Sequence, residues 1–122
     1  MPTPRPGHRI LVVEDNLDSV HSLALLLREM GHQVEYAING YAALSLAQSF
    51  RPDVVFLDLG LPGLDGFEVC RTMKSDAALR AARVIAITGY ADEDSRKRSA
   101  EAGCELHVVK PVSPQFLESL LR

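Results

Sequence analysis

The sequence predicts an α/β domain, with five strands in one parallel sheet and helices on both of its faces. Two observations carry this expectation. Short apolar runs, several rich in β-branched residues, recur along the chain and read as strands buried on both sides. Between them lie longer stretches with apolar residues every three or four positions. These read as helices, so each strand-to-strand connection is a right-handed crossover.

The elements follow in order. Ile10-Leu11-Val12-Val13 is the first strand. Asn16 is placed to cap a helix whose inner face is Val20, Leu23, Ala24, Leu27 and Met30, with Gly31 as its stop signal. Gln33 to Tyr36 is a short second strand, and Asn39-Gly40 turns the chain into a helix carrying Ala43, Leu44, Ala47 and Phe50, closed by Pro52. Asp53 to Leu57 is the third strand. A loop punctuated by Gly60, Pro62 and Gly63 leads to a helix near Phe67–Met73. Val84 to Ile87 is the fourth strand, ended by Thr88-Gly89. The next helix, over 92–102, is mostly polar, with only Ala100 and Ala102 clearly apolar. Glu105 to Val109 is the fifth strand, broken by Lys110-Pro111. Ser113 then caps a last helix with Phe116, Leu117, Leu120 and Leu121 expected inward.

A chain of 122 residues makes one domain with a sizeable core. A net charge of −3 suggests no polyanionic partner, so no direct contact with nucleic acid is expected. The acidic excess sits in residues 1–61, with four Lys/Arg against seven Asp/Glu; residues 62–122 carry nine of each. No apolar run approaches the roughly 20 residues of a membrane span, and MPTPRPGHR lacks the apolar segment of a signal peptide. A cytoplasmic protein with no membrane partner is therefore expected. Cys70 and Cys104 lack metal-site spacing and read as small core residues of a reducing compartment rather than a disulfide or metal pair. Residues 1–8, with three prolines and a glycine, read as a flexible lead-in, leaving 9–122 as the domain. There is no internal repeat and no low-complexity segment.

In an open parallel sheet, ligands bind beyond the carboxyl ends of the strands. Glu14 and Asp15 follow the first strand, Asp58 the third, Thr88 the fourth and Lys110 the fifth, whereas the second ends in apolar Ala37-Ile38. Each residue alone has an ordinary explanation as a cap or solvated loop residue, and Asp18 reads as an exposed first-turn charge. Together they face one crevice. Three carboxylates there stay ionised only if a cation joins them, and hard oxygen ligands suit Mg²⁺. Lys110 can neutralise a phosphoryl oxygen, Thr88 can donate a hydrogen bond to another, and Gly89 leaves room for the group. Carboxylate, divalent metal, ammonium and hydroxyl together suit phosphoryl transfer onto Asp58.

With these residues in view, LVVEDN, VVFLDLGLPGLDG, AITG and VVKP resemble the receiver domain of two-component response regulators, in order and spacing from Arg9 to Leu121. The resemblance implies a flavodoxin-like (CheY-like) doubly wound sheet of strand order 2-1-3-4-5 with five helices. It implies a phosphoacceptor in a phosphorelay, receiving a phosphoryl group from the phosphohistidine of a histidine kinase or histidine phosphotransfer domain. Such a domain is not a separate enzyme; it assists its own aspartyl phosphorylation and dephosphorylation. Asp58 resembles the phosphorylated aspartate, Glu14 and Asp15 the metal-binding acids, and Asp58 with the Gly60 backbone carbonyl the remaining Mg²⁺ ligands. Thr88 and Lys110 match the phosphoryl-sensing side chains, and the Lys110–Pro111 bond is expected to be cis. An output domain or kinase in the same full-length chain is a further partner the family allows.

The family pattern is broken at His107, where an aromatic usually stands. GCELHVVKPV is similar to receivers of hybrid histidine kinases, in which histidine occurs here. Two readings stand: a half-buried strand residue with no switching role, or a smaller titratable gate for the face of the fourth helix, fifth strand and fifth helix. Gly60 and Tyr90 match positions that tune phosphoryl lifetime. Rival functions fare worse. A haloacid-dehalogenase-like phosphatase needs a second acid where Gly60 stands. A flavin binder would have its phosphate repelled by Glu14-Asp15. A non-phosphorylated interaction module on the same fold is the remaining alternative.

Overall fold

The computed structural model describes residues 7–89 and 92–122. Ten elements alternate: β1 (Arg9–Val13), α1 (Leu17–Glu29), β2 (Gln33–Ala37), α2 (Gly40–Phe50), β3 (Val54–Leu57), α3 (Gly66–Ser75), β4 (Arg83–Thr88), α4 (Glu93–Ala102), β5 (Leu106–Val109) and α5 (Pro114–Leu120). All four strand pairings are parallel and the sheet order is β2-β1-β3-β4-β5. The expected fold and strand order are therefore those observed. Residues 1–6 of the expected lead-in and Tyr90 lie outside the described residues. His8, at its end, bonds from its backbone N–H to His32 Nδ1 at 2.9 Å.

Strand side chains alternate between two cores, as the pleat requires. Ile10, Val12, Val54, Phe56, Ile85 and Ile87 pack against α1 and α5, whereas Leu11, Val13, Val55, Leu57, Val84 and Ala86 face α2, α3 and α4. The strands β1 and β3 are buried on both faces, which is why their sequences are continuous apolar runs. Truncating fully buried Phe56 to alanine would cost about 3–5 kcal/mol.

Each helix begins on an N-cap side chain that accepts the N–H three residues on: Asn16, Asn39, Asp65, Asp92 and Ser113. Each such cap contributes about 1 kcal/mol and fixes where the preceding loop ends. Gly66 opens α3 so close to β3 that an added Cβ would lie 2.6 Å from the Asp58 carbonyl oxygen. Glycine is thus what lets α3 start against the loop carrying Asp58.

On α4, Ala102 is buried and Ala100 exposed; Ser99 takes the other inward place, 1 % exposed, its hydroxyl satisfied by the Arg96 carbonyl and by His107. One core expectation is corrected. Phe116 is 40 % exposed, and the buried residues at the end of the chain are Leu117 and Leu121. Among the described residues, no helix is long and apolar enough to cross a membrane.

Candidate functional site at the carboxyl edge of the sheet

The strand order places β1 and β3 side by side, with Val13 opposite Leu57. The residues that follow them therefore meet. The N–H of Asp58 donates to the Val13 carbonyl at 3.0 Å, and that of Glu14 to Ala37 at 3.1 Å. These bonds hold the chain extended one residue past each strand and aim both carboxylates over the sheet edge. Carboxylate oxygens of Glu14, Asp15 and Asp58 lie within 4.8 Å of one another.

Lys110 enters from β5. Its Nζ donates to Glu14 Oε2 at 2.6 Å and to Asp58 Oδ2 at 3.0 Å. Its backbone N–H donates to the Thr88 carbonyl at 2.8 Å, which ties the lysine to the end of β4. The Lys110–Pro111 peptide is cis. Thr88 is fully buried at the last position of β4, opposite Val109. The remaining oxygens are also held: Gly60 N–H donates to Asp58 Oδ1 at 2.9 Å and Asn16 N–H to Glu14 Oε1 at 3.3 Å. Beside the cluster, an apolar cavity of about 380 Å³ is walled by Leu23, Leu26, Phe56 and Val112. Low-dielectric walls strengthen every charge interaction at its mouth.

The ion pair is asymmetric. Burial pushes the Glu14 carboxyl above its usual range, Asp58 adds to this, and the Lys110 hydrogen bond only partly offsets it. At Lys110 burial works against the charged form, but the hydrogen bonds to Glu14 and Asp58 outweigh it and raise its pKa. One ammonium thus faces three clustered carboxylates, which leaves the site short of positive charge. Three hard oxygen donors, one nearly buried, fit a small divalent cation.

His107 is half-buried on β5, and its Nδ1 lies 2.9 Å from Ser99 Oγ on α4. Asp18 is exposed in the first turn of α1, as expected. Sequence reasoning missed Ser99 and Gly66. A serine in a polar helix carries no mark of burial. Gly66 had a readable signal, a glycine just after the acid that caps α3.

The fold and the site define a class: a doubly wound α/β domain with an acid–lysine cluster on the carboxyl edge of its sheet. The chain belongs to the response regulator receiver domain family, whose sequence profile matches residues 10–122. It is 36% identical over 112 residues to the polar-differentiation response regulator DivK of Brucella anthropi, with 91% of each chain covered. Among solved structures it is similar to the signal receiver domain of a signal transduction histidine kinase from Syntrophus aciditrophicus. That match has a TM-score of 0.85, 34% identity, and covers 93% of this chain and 86% of that one. The receiver domain of sensor histidine kinase PA1611 from Pseudomonas aeruginosa matches with a TM-score of 0.85 and 30% identity, covering 93% of both chains. It holds a magnesium ion coordinated in its active site cleft.

Proposed function

We propose that this receiver accepts a phosphoryl group on Asp58 from the phosphohistidine of a histidine kinase or histidine phosphotransfer domain, with Mg²⁺ in the acidic cluster. The observation that carries the reading is the double contact of Lys110 Nζ with Glu14 and Asp58 inside a three-carboxylate cluster. An Asp58 carboxylate oxygen forms the new O–P bond as the P–N bond to the donor imidazole breaks. The electron pair leaves with the imidazole nitrogen. Bound Mg²⁺ would neutralise phosphoryl charge and hold the group in line. Glu14, Asp15, Asp58 and the Gly60 carbonyl would hold the ion.

Gly60 N–H fixes one Asp58 oxygen, so the carboxylate is oriented before the donor arrives. Lys110, already paired with Asp58, then pairs with a phosphoryl oxygen. Thr88 donates its hydroxyl to another. Its movement, with His107 as the titratable gate, alters the face of α4, β5 and α5. The similarity to kinase receivers supports a place in a cytoplasmic phosphorelay; a kinase or output module in the same full-length chain is a partner the family allows. The domain acts on itself and turns over no separate substrate.

The test is incubation with acetyl phosphate and Mg²⁺, followed by intact mass. A hydroxylamine-labile phosphoryl gain is expected, lost in Asp58→Asn and kept in Asp53→Asn at the other end of β3. A gain that persists in Asp58→Asn overturns the assignment. No gain in the wild type, with DivK-type controls labelled, leaves a non-phosphorylated interaction module.

A further inference from the structure

Cys70 and Cys104 stand 34 positions apart in sequence, yet their Sγ atoms lie 3.4 Å apart, with the Cys104 thiol donating to Cys70. Cys70 is fully buried on α3, and its Sγ lies 3.3 Å from the carbonyl oxygen of Ala102, the last residue of α4. Cys104 follows Gly103, whose left-handed backbone (φ 105°) ends α4. It is half-buried, the more exposed residue of the pair. The S–H from Cys104 lowers the Cys70 pKa, whereas the same bond, with burial, drives that of Cys104 up. Lys74, anchored by its Nζ to the Ala82 carbonyl at 2.6 Å, supplies a positive charge that favours a thiolate at either sulfur.

We propose that Cys70 and Cys104 form a peroxide-sensitive dithiol that closes to a disulfide and fastens the end of α4 to α3. Hydrogen peroxide reaches the outer sulfur, Cys104. As the Cys104 sulfur takes one peroxide oxygen, the O–O bond breaks, the Cys104 thiol proton goes to the departing oxygen, and water leaves. Cys70 then attacks the sulfenic sulfur of Cys104 as its own thiol proton goes to the sulfenic oxygen. The S–S bond forms, the S–O bond breaks, and a second water leaves. Two thiols have lost two electrons and two protons, and the peroxide has become two waters.

The consequence lies in α4. Only Ser99 and Ala102 of this helix are buried. Its other ties to the domain include the Ser99–His107 bond and Arg98 stacked 4.0 Å over the Phe67 ring. A covalent link at its carboxyl end adds a fixed tie to an element that buries little of its own surface. None of this chemistry uses Asp58, so it stands or falls apart from the phosphoacceptor reading.

The experiment treats the whole chain with hydrogen peroxide. Intact mass should fall by two hydrogens, both thiols should escape alkylation, and a non-reducing digest should yield a peptide joined between 70 and 104. Dithiothreitol should reverse all three. Amide exchange over residues 93–106 should slow about tenfold on closure. Cys70→Ala risks the core, so Cys104→Ser, at the half-buried position, is the variant expected to keep the fold and lose the mass change. Oxygen addition to Cys104 without hydrogen loss, a disulfide between two chains, or exchange in α4 unchanged by closure would each overturn the proposal.

Discussion

Ser99 and His107 join α4 to β5 through a 2.9 Å contact between the serine hydroxyl and the imidazole Nδ1. Ser99 is buried, and such a hydroxyl bond is worth about 1 kcal/mol. Ser99→Ala should therefore destabilise the domain by about that amount in urea unfolding. His107→Ala should shrink the phosphorylation-dependent NMR shifts across residues 88–121. Shifts as large as in the wild type would leave His107 as an ordinary strand residue.

Lys110 is the cation that touches two of the three site carboxylates. Lys110→Ala leaves buried Glu14 facing Asp58 without compensation. Because the lysine is 38 % exposed, solvent screens part of this loss. A stability decrease of about 1–2 kcal/mol is expected in chelator-treated protein. Labelling by acetyl phosphate should slow about 100-fold, as for loss of one charge-stabilising donor.

The acidic cluster predicts a magnesium-dependent thermal midpoint. At a magnesium concentration 100 times the dissociation constant, the folded state gains about 2.7 kcal/mol. Asp15→Asn should keep the fold, since Asp15 is exposed, and should lose most of that shift. Equal shifts in both proteins would place the ion elsewhere.

At the other end of the sheet, burial lowers the His32 pKa below its ordinary 6.5, and neighbouring His8 lowers it further, against a smaller opposing effect of Asp53. The geometry gives a second reason: Nδ1 of His32 already accepts the His8 N–H, so a proton there breaks that bond. The folded state thus binds fewer protons than the unfolded chain. Its stability contribution is full above pH 6.5 and is lost as pH falls towards the depressed folded value. The urea midpoint should drop between about pH 7.5 and about pH 5.5, and His32→Gln should flatten that drop. An equal slope in the variant would assign the proton uptake to another group.

Much of this molecule was legible because its signals are local. Strands buried on both faces must be continuously apolar, so Ile10–Val13 and Val54–Leu57 announced themselves. Parallel strands all end on one edge, so the residues after them, Glu14, Asp15, Asp58, Thr88 and Lys110, could be listed as neighbours from order alone. Helix caps were legible where an amide or hydroxyl side chain opened an apolar period, as at Asn16 and Ser113.

The succession of elements, and the side chains each delivers to the sheet edge, thus follow from amino-acid order alone. Tertiary structure alone decided the distances between them. The order that sets β1 beside β3 brings Glu14 and Asp58 to one Lys110 ammonium, at 2.6 and 3.0 Å. The rotation of a helix about its own axis was equally hidden. Packing against the sheet turned Ser99 inward and Ala100 outward, and it brought Cys70 against Cys104 across 34 positions of chain. The physical reason is that periodicity reports burial along one segment, whereas contact between distant segments is fixed only when their faces compete for the same core.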